Sequence, residues 1–171
     1  QQEYLRLLVG RVAGGGVETD SFGSRQATLM FPSGTSAELL MPDGSTQPVG
    51  SLHVRATEYT VGELGLLAMP APLADNTGYT YAVELSADEA VAAGADSIGF
   101  GAPVSVYVEN FLGFPVGDPL PAGYFDRRRA GQAAVPNGLV IQLLSEAAGS
   151  ASIDIDGSGL PADPQALEDL G

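Results

Sequence analysis

Short runs of alternating apolar and polar residues, repeatedly cut by glycine and proline, most limit what this chain can fold into. In SLHVRATEYT (51–60), Leu52, Val54 and Ala56 share one face, while His53, Arg55, Thr57 and Tyr59 share the other. Successive side chains of a strand point to opposite sides, so this pattern predicts a half-buried strand. TYAVEL (80–85) predicts Tyr81, Val83 and Leu85 inward, and PVSVYV (103–108) predicts the same for Val104, Val106 and Val108. QATLMF (26–31) and AELLM (37–41) read as strands joined by a turn at PSG (32–34), and YLRLLVGRV (4–12) as a strand ending at GGG (14–16). In MPDGST (41–46), Pro42 and Gly44 stand where a tight turn needs a fixed φ and a positive φ. NGLVIQLLS (137–145) is apolar on both faces and predicts one central strand.

Helical signals are few. In SADEAVAAG (86–94), Ser86 and Glu89 have capping-box spacing and Gly94 can close a short helix. In DPQALEDLG (163–171), Asp163 suits an N-cap and Pro164 the first helical position. GELGLLAMPAPLADNTG (62–78) reads as a proline-punctuated loop. FLGFPVGDPLPAGYFDRRR (111–129) does not alternate, and reads as an excursion whose Phe111, Phe114, Tyr124 and Phe125 cover a sheet edge or core end. The expected class is therefore all-β: an antiparallel β-sandwich, Ig-like or jelly-roll-like, with one short connecting helix and a short C-terminal helix. Residues 1–152 form the expected β-sandwich module, with a division into two packed sub-modules near 100–110. Residues 153–171 form an acidic loop and short helix at the junction to a following domain.

The charge excludes some partners. With 21 acidic residues against seven arginines and no lysine, the formal net charge is −14, a field that repels phosphate backbones and anionic headgroups. Nucleic acid is thus not an expected partner, and no apolar run approaches the ~18 residues that membrane insertion requires. The absence of cysteine removes disulfides, zinc–thiolate sites and cysteine nucleophiles. The chain opens on Gln1, which reads as a mature product or excised fragment.

Candidate chemistry is sparse. His53 is the only histidine, so any Ser–His–acid scheme must pass through it, and its place on the outward face of a strand argues for an ordinary surface residue. Glu58 falls in the inward phase of the same strand, where a carboxylate serves acid–base chemistry or marks a bulge or edge. Arg127–Arg129 is the one basic cluster, a patch for an acidic neighbour or a solvated loop. The strongest candidate is IDIDGSGLPADP (153–164). Read as a calcium loop, Asp154, Asp156 and Ser158 take the first, third and fifth places, Gly159 the sixth, and the Leu160 carbonyl the seventh. The twelfth place is Gln165 rather than a bidentate glutamate, and Asp163 at the tenth contributes only if the loop departs from the standard shape. Read instead as a strand and turn, Ile153 and Ile155 point inward and Asp154 and Asp156 outward.

Three longer phrases carry a family likeness: ATLMFPSGTSAELLMPDGSTQPVGSLHVRATEYTVG (27–62), AMPAPLADNTGYTYAVELSADEAVAAGA (68–95) and PVSVYVENFLGFPVGDPLPAGYFDR (103–127). With NGLVIQLL (137–144) and the closing DIDGSGLPADPQALEDLG, they resemble a module that precedes the repeat shell of large bacterial RHS/YD-repeat proteins. The likeness spans roughly residues 20 to 171. More distantly, the chain is similar to the β-sandwich modules of ankyrins and netrin receptors. The resemblance implies a non-catalytic sandwich in an exported, multidomain protein. Some relatives cut themselves at His-Phe-Ser, but here the histidine reads His53-Val54-Arg55, so no autoproteolysis is carried across. Relatives also bear a tryptophan after the Tyr-Asp-Arg phrase, absent here, and often a third aspartate where this chain has Ser158.

The expected function is a structural or interaction module of a large secreted or cell-surface bacterial protein, without catalysis, partnered by neighbouring domains of its parent and by other proteins. A calcium-binding junction or adhesion module using Asp154–Asp163 is the alternative, calcium being its only cofactor. An acidic hydrolase with unassigned carboxylates stands third.

Overall fold

The computed structural model describes residues 9–62, 66–70, 81–127, 129–147 and 150–168. The predicted strand residues 4–8 and most of the 62–78 loop lie outside them. The chain divides into two compact units, with the main boundary between Phe111 and Leu112.

The first unit runs through β1 (Val9–Gly14), β2 (Glu18–Asp20), β3 (Gly23–Arg25), β4 (Ala27–Pro32), β5 (Ala37–Leu40), β6 (Thr46–Val49), β7 (Val54–Glu58) and β8 (Val83–Ala87). Helix α1 (Asp88–Ala93), β9 (Ser97–Phe100) and β10 (Ser105–Val108) complete it. Its sheets have the orders β1-β4-β10, β6-β5-β9, β2-β3 and β7-β8. The second unit consists of β11 (Pro119–Asp126), β12 (Gly131–Leu139), β13 (Gln142–Ala147), β14 (Ser150–Asp154) and α2 (Pro164–Glu168), with hairpins β11-β12 and β13-β14.

Every strand pairing among the described residues is antiparallel. The all-β antiparallel class expected from the alternation is therefore what the chain adopts, as several small sheets among the described residues. None of its helices there is long and apolar enough to cross a membrane.

Two non-local pairings organise the first unit. Leu29 on β4 lies opposite Val106 on β10, and Leu39 on β5 opposite Ile98 on β9. Leu39, Ala87 and Ala90 form a buried cluster flanked by Met41, Val49, Leu52, Ala95 and Ile98. Helix α1 caps this cluster. It stops at Gly94, whose φ of 66° lets its backbone N–H reach the carbonyls of Ala90 and Val91, a geometry that only glycine adopts freely.

Several expectations need correction. The capping box does not form: Ser86 is held in β8 opposite Arg55, so the helix starts one residue later, with Ala87 as an N-cap that makes no side-chain cap. The 137–145 run is not one central strand. It breaks at Val140, which is buried and trapped by the 116–118 turn, donating to Asp118 O at 3.0 Å and accepting from Gly117 N at 2.9 Å. Part of the non-alternating 111–129 stretch is strand β11, and Tyr124 on it stays half-exposed instead of covering a core. Leu85 and Val106, expected inward, are 43% and 49% exposed, because each lies on an edge strand with a ladder neighbour on one side only among the described residues.

The interior of the first unit holds an ion pair. Arg25, 2% exposed, donates from Nε and Nη2 to Glu58 Oε1 at 2.8 and 2.7 Å, and from Nη1 to Asp20 Oδ1 at 2.8 Å. The Phe111 ring lies 4.4 Å from the guanidinium carbon, and Thr60 Oγ1 also donates to Glu58. These bonds tie the β2-β3 hairpin to the end of β7. Removing one member of a buried pair strands the other charge, whereas replacing both by apolar side chains does not. Arg25→Met is expected to destabilise the protein by about 3–5 kcal/mol. In urea denaturation, Arg25→Met/Glu58→Leu should recover most of that loss; a double variant as unstable as the single one would contradict the assignment.

Candidate functional site

The acidic loop after β14 is built on one side chain. Asp154, 1% exposed, is among the most buried residues of the chain. Its Oδ1 accepts from the backbone N–H groups of Asp156 at 3.0 Å and Gly157 at 2.9 Å, and its Oδ2 from Gly159 N at 2.7 Å. Gly157 and Gly159 have φ of 77° and 74°, which turn the amides back onto the carboxylate. The Ala162 N–H then closes the loop on Ile153 O at 2.8 Å.

This reverses the strand phase read from the alternation. Ser152 and Asp154 occupy the buried positions of β14, while Ile153 and Ile155 are only partly buried. Ile153 pairs with Leu143, which is itself 59% exposed. Three charge-assisted bonds to an anion outweigh burial of an isoleucine beside an exposed neighbour. The turn before β11 clasps the loop from outside: a Cβ on Gly117 would lie 3.1 Å from the Asp156 Cα.

The other predicted ligands serve the loop's own backbone. Asp156 Oδ1 accepts from Ser158 N at 3.0 Å, and Ser158 Oγ accepts from Leu160 N at 3.3 Å. Asp163 Oδ1 accepts from Gln165 N at 2.9 Å, so it caps α2 as its position before Pro164 predicts. Asp154, Asp156 and Asp163 do not gather around one point. Among the described residues, no group of three or more histidine or carboxylate side chains is placed to hold a metal.

A second polar cluster sits at the start of α1. His53, 76% exposed, faces outward as its strand phase predicts. The Glu89 carboxylate accepts from His53 N at 2.8 Å and pairs with His53 Nδ1 at 2.5 Å, while Arg55 forks onto Asp88 at 2.5 and 2.7 Å. The Glu89 hydrogen bond, then its charge, holds the imidazole above its ordinary value. Glu58, the other acid–base candidate, is held by Arg25, and Arg129 lies 3.6 Å from Asp126. Tyr81, against the same centre, has its phenol pushed up to about 12 by burial and then by Glu58. The inward phase of Glu58 was a usable signal for that centre. Nothing in GSRQ marked Arg25 as its partner, because the pairing spans 33 positions.

Compared with known protein families, curated proteins and solved structures, the chain matches none.

Two titrations follow. The backbone N–H of Asp156, followed by those of Gly159 and Gly157, holds the Asp154 carboxyl below its ordinary value. The folded state therefore binds this proton more weakly than the unfolded chain does. Its stabilisation is complete above about pH 4 and is lost as pH falls through the lower folded value. Asp154→Asn, which presents an amide N–H₂ where an acceptor is needed, should lower the melting temperature at pH 7 by roughly 5 °C and flatten the acid limb. A variant that melts like wild type would overturn this role. The single histidine gives one set of imidazole resonances, expected to titrate with a midpoint above 6.5 and to fall in Glu89→Gln.

Proposed function

We propose that this chain is a non-catalytic structural and interaction module of β-sandwich type, belonging to a large secreted or cell-surface bacterial protein of the RHS/YD-repeat class. One observation carries the reading. The side chains best suited to chemistry, Arg25, Glu58 and Asp154, are buried and bonded to one another or to backbone amides. They hold loops and hairpins in place. Large apolar side chains on the surface add support, with Leu67 79%, Val91 72% and Phe22 67% exposed. Such residues suit contact with neighbouring domains of a parent protein. The resemblance of residues 27–62, 68–95 and 103–127 to the module of RHS/YD-repeat proteins suggests the class.

The second reading, a calcium-binding junction or adhesion loop, draws on the same bent backbone and on the exposed Asp156 and Asp163. Thermal unfolding in 10 mM calcium against chelator separates the two. The structural reading expects the melting temperature to stay within about a degree. A weak site of the extracellular kind, with Kd near 10⁻⁴–10⁻³ M, would raise it by roughly 3–10 °C in wild type and not in Asp156→Ala. A rise of that kind overturns the metal-free reading.

A further inference from the structure

An acidic chain has little reason to leave an arginine without a partner. Arg25, Arg55 and Arg129 each face a carboxylate within 3.6 Å. Arg11, on β1, forms no ion pair among the described residues, and it is exposed although acids outnumber bases 21 to seven. It lines a groove of about 390 Å³ in the first unit, and among the described residues it is the only charged one that does.

Gly10–Ala13 of β1 line the groove together with Phe31 and Pro32 of the paired strand β4. In the order β1-β4-β10, β1 is terminal, and among the described residues no strand pairs with its other side. Val12, 59% exposed, lies next to Arg11, and Leu52, just before β7, and Val54, its first residue, contribute to the lining. Phe31 and Phe100 contribute a T-shaped aromatic pair with centroids 5.5 Å apart. The features needed for strand addition are therefore together: backbone groups along an edge, apolar surface for alternate side chains, and one fixed charge to set register.

We propose that the open edge of β1 takes an extended peptide from a partner protein, with apolar alternate side chains in the groove and a carboxylate opposite Arg11. The main-chain ladder supplies affinity, and the arginine selects for the acid. A second copy of this chain fits less well, because each copy carries a net charge of −14. The inference deepens the interaction reading above. Its failure would remove the groove as a docking site and leave the calcium comparison to decide the module reading.

Two fluorescein-labelled pentapeptides, Val-Thr-Asp-Thr-Val and Val-Thr-Lys-Thr-Val, test this by fluorescence anisotropy. Wild type should bind the aspartate peptide roughly tenfold more tightly than the lysine peptide, and Arg11→Glu should reverse the order. N-methylation of alternate amides on one edge of the aspartate peptide should abolish binding, and methylation of the other edge should not. Because Arg11 is exposed and unpaired, Arg11→Glu and Arg11→Ala should melt like wild type, confirming that any loss is local. Three results would overturn the proposal: neither peptide binds, both bind equally with no response to Arg11→Glu, or sedimentation shows a self-associated species that Arg11→Glu disperses.

Discussion

The first unit depends on a charge that cannot be left alone. Arg25 is almost wholly removed from solvent, and an unpaired guanidinium there would cost far more than any single apolar contact returns. Its three donors to Glu58 and Asp20 therefore determine where the β2-β3 hairpin sits against β7. Phe111 covers the planar face of the guanidinium and Tyr81 packs edge-on against Phe111 at 6.5 Å, so the end of the unit is organised around the same centre. Gln26, next in sequence, extends the fixation: its backbone donates to Glu109 at 2.5 Å and its side chain to Gly15 O at 2.6 Å.

Such dependence on polar fixation follows from the sheets. Two- and three-stranded antiparallel sheets bury little, and half of the buried apolar residues among those described are alanines: Ala27, Ala87 and Ala90 beside Leu29, Leu39 and Val140. Where dispersion and burial are limited, satisfied hydrogen bonds to buried charges give conformational uniqueness. The second unit uses the same solution with an anion. The Asp154 carboxylate gathers three amides, and Val140 holds the turn that clasps the loop. A cation at one centre and an anion at the other each replace what a larger apolar core would supply.

Much of the strand pattern was legible in the residues. The alternation in 51–60 placed Val54, Ala56 and Glu58 on one face, and the described structure keeps that phase through β7. Gly44, Gly94 and Asp163 did what their local chemistry requires, because a turn, a helix stop and a helix cap each depend on a few adjacent residues. The β2-β3 hairpin, β6 and β9 were not legible. Each is three or four residues long, and β6 contains Pro48, so neither period nor propensity marks them as strands. They exist because a distant partner offers them a ladder, as β5 does for β6 and β9 on its two sides.

By itself, then, the sequence determined the antiparallel β class, its turns and its caps, since these follow from neighbouring side chains and backbone angles. Only the tertiary structure decided which face of β14 is buried, where the 137–145 run breaks, and that Arg25 meets Glu58. Those outcomes are competitions between groups far apart in the chain: three amides against two isoleucines, a turn at 116–118 against strand continuity at Val140, a buried guanidinium against water. A local pattern states what each segment prefers. The balance between preferences is settled only when the segments meet.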